Sequence, residues 1–250
     1  MTPKGPAEPY ALVITCEHAG NGVPPEYAHL FAGKRARAAL KTHRGYDLGA
    51  LAVARSLGRR LRVAVLSCGV TRLLVDVNRS LGHPRLFSEF SRGLAPPDRT
   101  KALERYYIPH RRAVEAEVRR YVTAGSRVLH LSVHSFTPEL NGRVRSAEVG
   151  LLYDPVRLAE REFCERWRKA LLTRTATDPD DVHNIQSDCR IRRNYPYRGA
   201  SDGLTTALRR VFPARDYLGI ELELNQALLR EGGKRQRAAA LVAGSLKAAI

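Results

Sequence analysis

The sequence predicts an α/β protein built on a largely parallel sheet. Three observations predict it. Short apolar runs alternate along the chain with stretches of helical period. The runs stop at polar and turn residues, as buried strands do. No internal repeat or low-complexity linker breaks the alternation, so residues 1–250 read as a single α/β domain.

The first strand is 11–16, Ala11-Leu12-Val13-Ile14-Thr15-Cys16. A helix follows over 47–61, where Leu48, Leu51, Ala54 and Leu57 recur near a 3.6 period. Strands come next at 63–68 and 72–77; in the second, Leu73, Val75 and Val77 alternate with Arg72, Leu74, Asp76 and Asn78. A helix spans 100–123, and strands occupy 127–133 and 147–153. The helix at 155–173 carries Leu158, Phe163, Trp167 and Leu171 on one face. A helix at 201–211, a strand at 216–224 and a helix at 226–249 complete the set. Ser80–Arg99 and Thr175–Ser201 show no clean period, and loops of that length commonly form lids or pocket walls.

With 44% hydrophobic residues the chain can bury a substantial core. No apolar stretch approaches the ~20 residues that span a bilayer. Met1–Pro9 is polar and lacks the apolar centre of a secretory signal, so a cytoplasmic protein is expected. Cys16, Cys68, Cys164 and Cys189 lie far apart with no C-x-x-C pair, which argues against a zinc knuckle. Cys16 and Cys68 end apolar runs and read as buried free thiols. The net charge of +17 comes mostly from arginines spread over helices, without a basic tail or an aromatic stacking motif. That pattern fits a solvated surface, or the field of an anionic substrate, better than a nucleic-acid site. The oligomeric state is not legible.

The chemistry gathers at strand ends, where open α/β sheets place their ligands. His18 follows the first strand, and His134 ends the run Val128–Val133. Two imidazoles delivered there could share one metal ion, with a carboxylate as third ligand. Asp47 and Glu17 are the candidates; Asp47 could instead cap the helix at 47–61, and Glu17 should point away from its neighbour His18 on a strand. His29, His110, His130 and His183 read as structural or surface residues, and His83 in the long loop is open. Arg72 and Arg79 suit bidentate binding of a carboxylate, or an internal ion pair with Asp76. Glu221 and Glu223 share one strand face; in a cleft beside a metal, a glutamate is a competent base. Tyr195-Pro196-Tyr197 could form a rigid wall with phenolic donors.

Taken in order, these motifs resemble the N-formylglutamate amidohydrolase family, whose fold is similar to that of the zinc carboxypeptidases. The matching pieces are Cys16-Glu17-His18-Ala19-Gly20-Asn21 with Val23-Pro24, His43 to Asp47 with Gly49-Ala50, Arg72 to Arg79, His134-Ser135-Phe136-Thr137-Pro138 and Gly219-Ile220-Glu221. They cover residues 11 to about 225. The resemblance implies a three-layer sandwich of the phosphorylase/hydrolase-like, zinc exopeptidase-like kind, with a mixed, largely parallel sheet and helices on both faces. It implies one divalent ion, zinc by preference, on His18 and His134. Those peptidases take their glutamate ligand three residues after the early histidine, where this chain has Asn21. Asp47 is therefore the expected third ligand, with Glu17 second. Glu221 looks like the catalytic glutamate. Asn78 and Arg79 look like the substrate-carboxylate anchors, joined by Tyr197, and Arg72 like the charge that assists there or at the oxyanion. Many members read Asn-Glu-Pro-Tyr where this chain reads Asn194-Tyr195-Pro196-Tyr197. The implied reaction is hydrolysis of a small anionic N-acyl amino acid such as N-formyl-L-glutamate. The alternatives are a peptide or cell-wall amide as substrate, or a non-catalytic anion-binding protein on the same scaffold.

Overall fold

The computed structural model describes residues 10–177 and 190–250. The expectations on Met1–Pro9, His183, Cys189 and part of the loop Thr175–Ser201 lie outside the described residues. Fifteen elements organise the rest: β1 (Ala11–Cys16), α1 (Lys34–Leu40), α2 (Ala50–Leu61), β2 (Val65–Ser67), α3 (Pro96–Ala102), α4 (Ile108–Thr123), β3 (Val128–Phe136), β4 (Glu139–Leu140), β5 (Arg143–Val144), β6 (Val149–Leu152), α5 (Leu158–Thr177), β7 (Ile191–Arg193), α6 (Leu204–Val211), β8 (Tyr217–Asn225) and α7 (Gly232–Ala249). One six-stranded sheet runs in the order β2-β1-β3-β8-β6-β7; β4 and β5 form a separate hairpin. Every pairing in the large sheet is parallel except that of β6 with β8.

Period-2 alternation in β3 and β8 decides the layers. Leu129, Leu131 and Val133, with Leu218, Ile220, Leu222 and Leu224, enter an apolar core with α2, α5 and α7. Val128 and Tyr217 enter a smaller core on the other face, with Val114 and Val118 of α4 and Leu204 and Leu208 of α6. Along that second face the strands carry His130, Ser132, His134, Glu221 and Glu223, because each lies two residues from the last. One side of the sheet is thus apolar throughout, while the other turns polar toward the carboxyl ends. Among the described residues no helix is long and apolar enough to cross a membrane.

The segment 72–77 is not a strand. Leu73, Leu74, Val75, Asp76 and Val77 are all buried, so the alternation does not separate an inner from an outer face. The chain here is irregular and packs into its own cluster with Phe31, Leu86 and Tyr107. Its backbone is satisfied by neighbouring loops instead of a ladder: Asp76 N–H donates to Leu86 O (2.9 Å), and Ser91 Oγ–H donates to Leu73 O (2.9 Å). The helix expected at 100–123 begins earlier, at Pro96, and passes through one π turn over 103–107 before α4. Pro109, which has no N–H to donate back into the preceding turn, follows closely on that π turn. The helix expected at 226–249 is a 3-10 turn at Gln226–Leu228 followed by α7. The short helices before α2, the β4–β5 hairpin and β7 were not anticipated; each is too short to show a period.

A buried ion pair ties three elements beneath the site. Glu160 of α5 accepts from Arg209 Nε of α6 (3.0 Å), from Gly219 N of β8 (3.0 Å) and from Asp154 N (2.9 Å). Arg209 also donates to Gly199 O and Gly219 O, both at 2.6 Å. Glu160→Ala would leave a buried guanidinium without its counter-charge. A loss of about 3–5 kcal/mol in unfolding free energy is expected, read as a lower urea midpoint.

Candidate metal centre and active site

Two loops and a strand bring the cluster together. β1 releases the chain at Cys16, and the turn that follows places His18 under the sheet edge; Asp47 N–H donates to His18 O (2.9 Å) and pins the second loop to it. Gly20 permits this path, since a Cβ there would sit 2.7 Å from Gly69 O. His134 comes from β3. Asp47 lies ahead of α2 and does not cap it: the N-cap is Gly49, at φ 80, with no side-chain cap bond.

His18, Asp47 and His134 each offer one ligand atom, and these atoms lie within 4.8 Å of one another. All three residues are buried. His134 Nδ1 is 2.8 Å and His18 Nδ1 3.5 Å from Asp47 Oδ2. The far nitrogens are held by carboxylates: His18 Nε2 by Asp76 Oδ1 (2.7 Å), and His134 Nε2 by Glu17 Oε2 (3.1 Å) and Ser132 Oγ (2.9 Å). Ser132 Oγ–H in turn donates to Glu17 Oε2 (2.7 Å). His18 Nδ1 is buried with no hydrogen-bond partner among the described residues. Two imidazoles backed by carboxylates, an unpartnered nitrogen and a shared carboxylate form a donor set that fits a divalent cation, zinc included. Glu17 sits on the far side of His134 and orients that ring, which makes Asp47 the carboxylate of the cluster.

The electrostatics agree. Burial would raise the Asp47 carboxyl, but the Arg72 guanidinium and the bonds from His134 and His18 hold it well below the usual carboxylate range. Glu17 is likewise held low against burial by its bond to His134. Asp76 is lowered to about 2, its burial outweighed by His18. Burial alone would depress His134; its bonds to Asp47 and Glu17 push it well above the ordinary histidine value. The pocket therefore favours positive charge beside Asp47 and Glu17.

All eight residues singled out from the sequence line one cavity of about 420 Å³: His18, Asp47, Arg72, Asn78, Arg79, His134, Tyr197 and Glu221. Arg72 pairs with Asp47 and not with Asp76. Arg79 lies 3.8 Å from Asp76 and donates to Asp202 O (3.0 Å). Asn78 Oδ1 accepts from Leu204 N (2.7 Å) at the start of α6. Glu221 Oε1 accepts from Thr205 Oγ (2.7 Å), and the Tyr197 hydroxyl from Arg145 (3.2 Å). The cavity is also lined by Glu223, which the strand pattern paired with Glu221 without choosing between them, and by His43, marked in the sequence only as the start of the run to Asp47. Glu223 faces His134 in the β3–β8 register. It is buried, its Oε2 has no partner among the described residues, and burial pushes its carboxyl up to about 8. Period 2 puts Glu221 and Glu223 on one face; only the register with β3 tells which one meets the cluster.

His130 is structural, as expected, held by Thr15 (2.8 Å) and Tyr217 (2.6 Å). Cys16, Cys68 and Cys164 are buried free thiols, and burial raises all three.

The sequence profile of the N-formylglutamate amidohydrolase family matches residues 10–230. The chain belongs to that family. The members of that family are hydrolases acting on amide bonds, and by membership this protein is a hydrolase of that class. Two crystal structures are among the solved structures that resemble it. A gene product of Agrobacterium tumefaciens is 26% identical with a TM-score of 0.75, the match covering 95% of this chain and 89% of that one. The N-formylglutamate amidohydrolase of Ralstonia eutropha is 20% identical with a TM-score of 0.60, covering 97% and 94% respectively. No curated protein matches the sequence. The family and both structures agree with the α/β sandwich described above.

Proposed function

We propose that the protein is a metal-dependent amidohydrolase that removes a small acyl group, formyl first, from an acidic amino acid such as N-formyl-L-glutamate. The observation that carries this reading is the His18–Asp47–His134 cluster, open to a cavity with arginines on its walls. A divalent ion held by those three residues, zinc by preference, would polarise the acyl carbonyl and lower the pKa of a water from about 16 towards 7.

The chain's own groups do the rest. Asn78 and Arg79, both lining the cavity, bind the α-carboxylate; the oxygen of Asn78 is engaged by Leu204 N, which leaves its amide N–H groups to donate. Tyr197 closes the wall above. Arg72 holds Asp47 in place and adds positive charge near the carbonyl. Glu223, in its ionised form, takes the proton of the attacking water and passes it to the departing amine. Glu221, the residue that the family resemblance suggested for this step, lies on the same face but has one oxygen committed to Thr205, so the base is assigned to Glu223. Glu221 then stands beside Asn78, where it can receive the amine as an ammonium. The enzyme acts on a soluble small anion and needs neither nucleic acid nor membrane.

A panel of N-acyl amino acids assayed after metal restoration tests the reading. N-formyl-L-glutamate and N-formyl-L-aspartate should be cleaved well and neutral N-formyl amino acids poorly. Equal rates on neutral substrates, or cleavage of cell-wall amides alone, would overturn it.

A further inference from the structure

His43 lies at the edge of the cavity, next to the cluster, with its two ring nitrogens in different surroundings. Nδ1 faces Gln226 Nε2 at 3.0 Å and Asp47 Oδ1 at 3.3 Å. Nε2 has no partner among the described residues and is not sealed from solvent, while the ring lines the cavity.

The neighbouring bonds say where the proton is. Ser135 Oγ has one proton and donates it to Leu48 O (2.9 Å). Toward Gln226, 3.2 Å away, Ser135 can therefore only accept. The Gln226 atom facing it is the amide nitrogen, and that nitrogen's second proton points at His43 Nδ1. The reverse amide orientation would draw the Ser135 proton away from Leu48 O. Asp47 Oδ1 is the rival acceptor for an Nδ1 proton, but it lies farther off, at 3.3 Å, makes no hydrogen bond with Nδ1 among the described residues, and already receives the Arg72 guanidinium. A neutral imidazole that accepts at Nδ1 donates at Nε2. The ring thus offers a fixed N–H to the cavity, set by residues from three segments: the loop before α2, the end of β3 and the turn after β8.

We propose that His43 Nε2–H is the hydrogen-bond donor to the scissile acyl oxygen, and that Gln226 and Ser135 are positioning residues that fix its tautomer. The proposal rests on the amidohydrolase reading and extends it. Arg79 neighbours Asp76, Asp76 holds His18, His18 neighbours Asp47, and Asp47 in turn neighbours His43, so three contacts separate Asp76 from His43 along the cavity wall. A substrate whose carboxylate is held at Asn78 and Arg79 therefore lays its amide across the cluster and directs its acyl end toward His43. A donor already oriented there stabilises the developing oxyanion without reorganising.

The test combines turnover with two readouts that do not need it. In metal-loaded enzyme, His43→Ala should lower kcat on N-formyl-L-glutamate by about 10²-fold with KM nearly unchanged. His43→Gln, which keeps an N–H donor, should recover part of the loss. Affinity for a tetrahedral phosphinate analogue of the substrate should fall by about the same factor as kcat. Nitrogen-15 NMR should show His43 protonated on Nε2 in the wild type, and Gln226→Glu should move the proton to Nδ1 and reproduce the kcat defect at full metal content. An Nδ1 proton in the wild type, undiminished kcat in His43→Ala, or a loss confined to KM each overturns the proposal while leaving the amidohydrolase reading intact. Wild-type protein that neither cleaves N-acyl amino acids nor binds the analogue overturns the parent reading, and this one with it.

Discussion

Glu223→Gln is expected to reduce hydrolysis by at least about 10³-fold, and Glu221→Gln by far less. General acid–base catalysis supplies roughly 10²–10⁴-fold, and here one carboxylate serves both the attack and the departure of the amine. The two residues are two positions apart on β8, so a difference between them isolates geometry from charge. Glu223 sits opposite His134, buried, with an oxygen that no described group satisfies. Glu221 is bound by Thr205 and borders Gly203, where an added Cβ would lie 3.3 Å from both Glu221 Oε1 and Asn78 Oδ1. The acid limb of the kcat/KM profile, which reports ionisation of the base in free enzyme, should vanish in Glu223→Gln and persist in Glu221→Gln. In Glu221→Gln the expected change is in product release: inhibition by the free amino acid should weaken, because the ammonium loses its counter-charge. The reverse ranking of the two variants would return the base to Glu221.

That distinction shows where the sequence stops being readable. β1 and β3 were legible as apolar runs, and β8 as the alternation of Ile220, Leu222 and Leu224 with Glu221 and Glu223; β3 runs on to Phe136, so His134 lies within the strand and not past its end. The layering followed too, since Leu129, Leu131 and Val133 could only be one face of β3. Local pattern failed where a segment is buried by something other than a sheet. In 72–77, Leu74 and Asp76 occupy the polar phase of an apparent strand, yet they are as buried as Val75, because loops from both sides cover them. It failed again where choice depends on register across the chain. Nothing near Glu223 marks it above Glu221, and His43 is marked only as the first residue of the run to Asp47, with nothing to give it a role of its own. Glu17 shows a third limit: its role depends on which nitrogen of His134 it reaches, a relation between residues more than a hundred positions apart. The choice between ligand and cap for Asp47 was also closed to the sequence; the cap is ruled out by the backbone, where Gly49 is the N-cap of α2 and no side chain caps it.

Asp47→Asn is expected to abolish both metal uptake and activity. Asp47 is the one carboxylate that touches both histidines on their shared side, so without its charge the site keeps two neutral ligands at most. Zinc affinity, measured by competition with a chelating dye, should fall by more than the about 10–100-fold that loss of an outer partner costs. Glu17→Gln and Asp76→Asn provide that comparison, because each removes only the group behind one histidine. The metal-free protein has a matching signature in acid. Asp47, Glu17 and Asp76 are all held below their ordinary values, so the unfolded chain binds their protons more readily. Their contribution to stability is full above the unfolded carboxyl values of about 4 and fades as pH falls toward the folded ones, about 2 for Asp76. Asp76→Asn should flatten that part of the urea-midpoint profile. Zinc should raise the midpoint of the wild type at neutral pH, by an amount that grows with the logarithm of free metal, and leave Asp47→Asn where it was. Should Asp47→Asn bind zinc as tightly as the wild type, the third ligand is another group and the cluster as assigned is wrong.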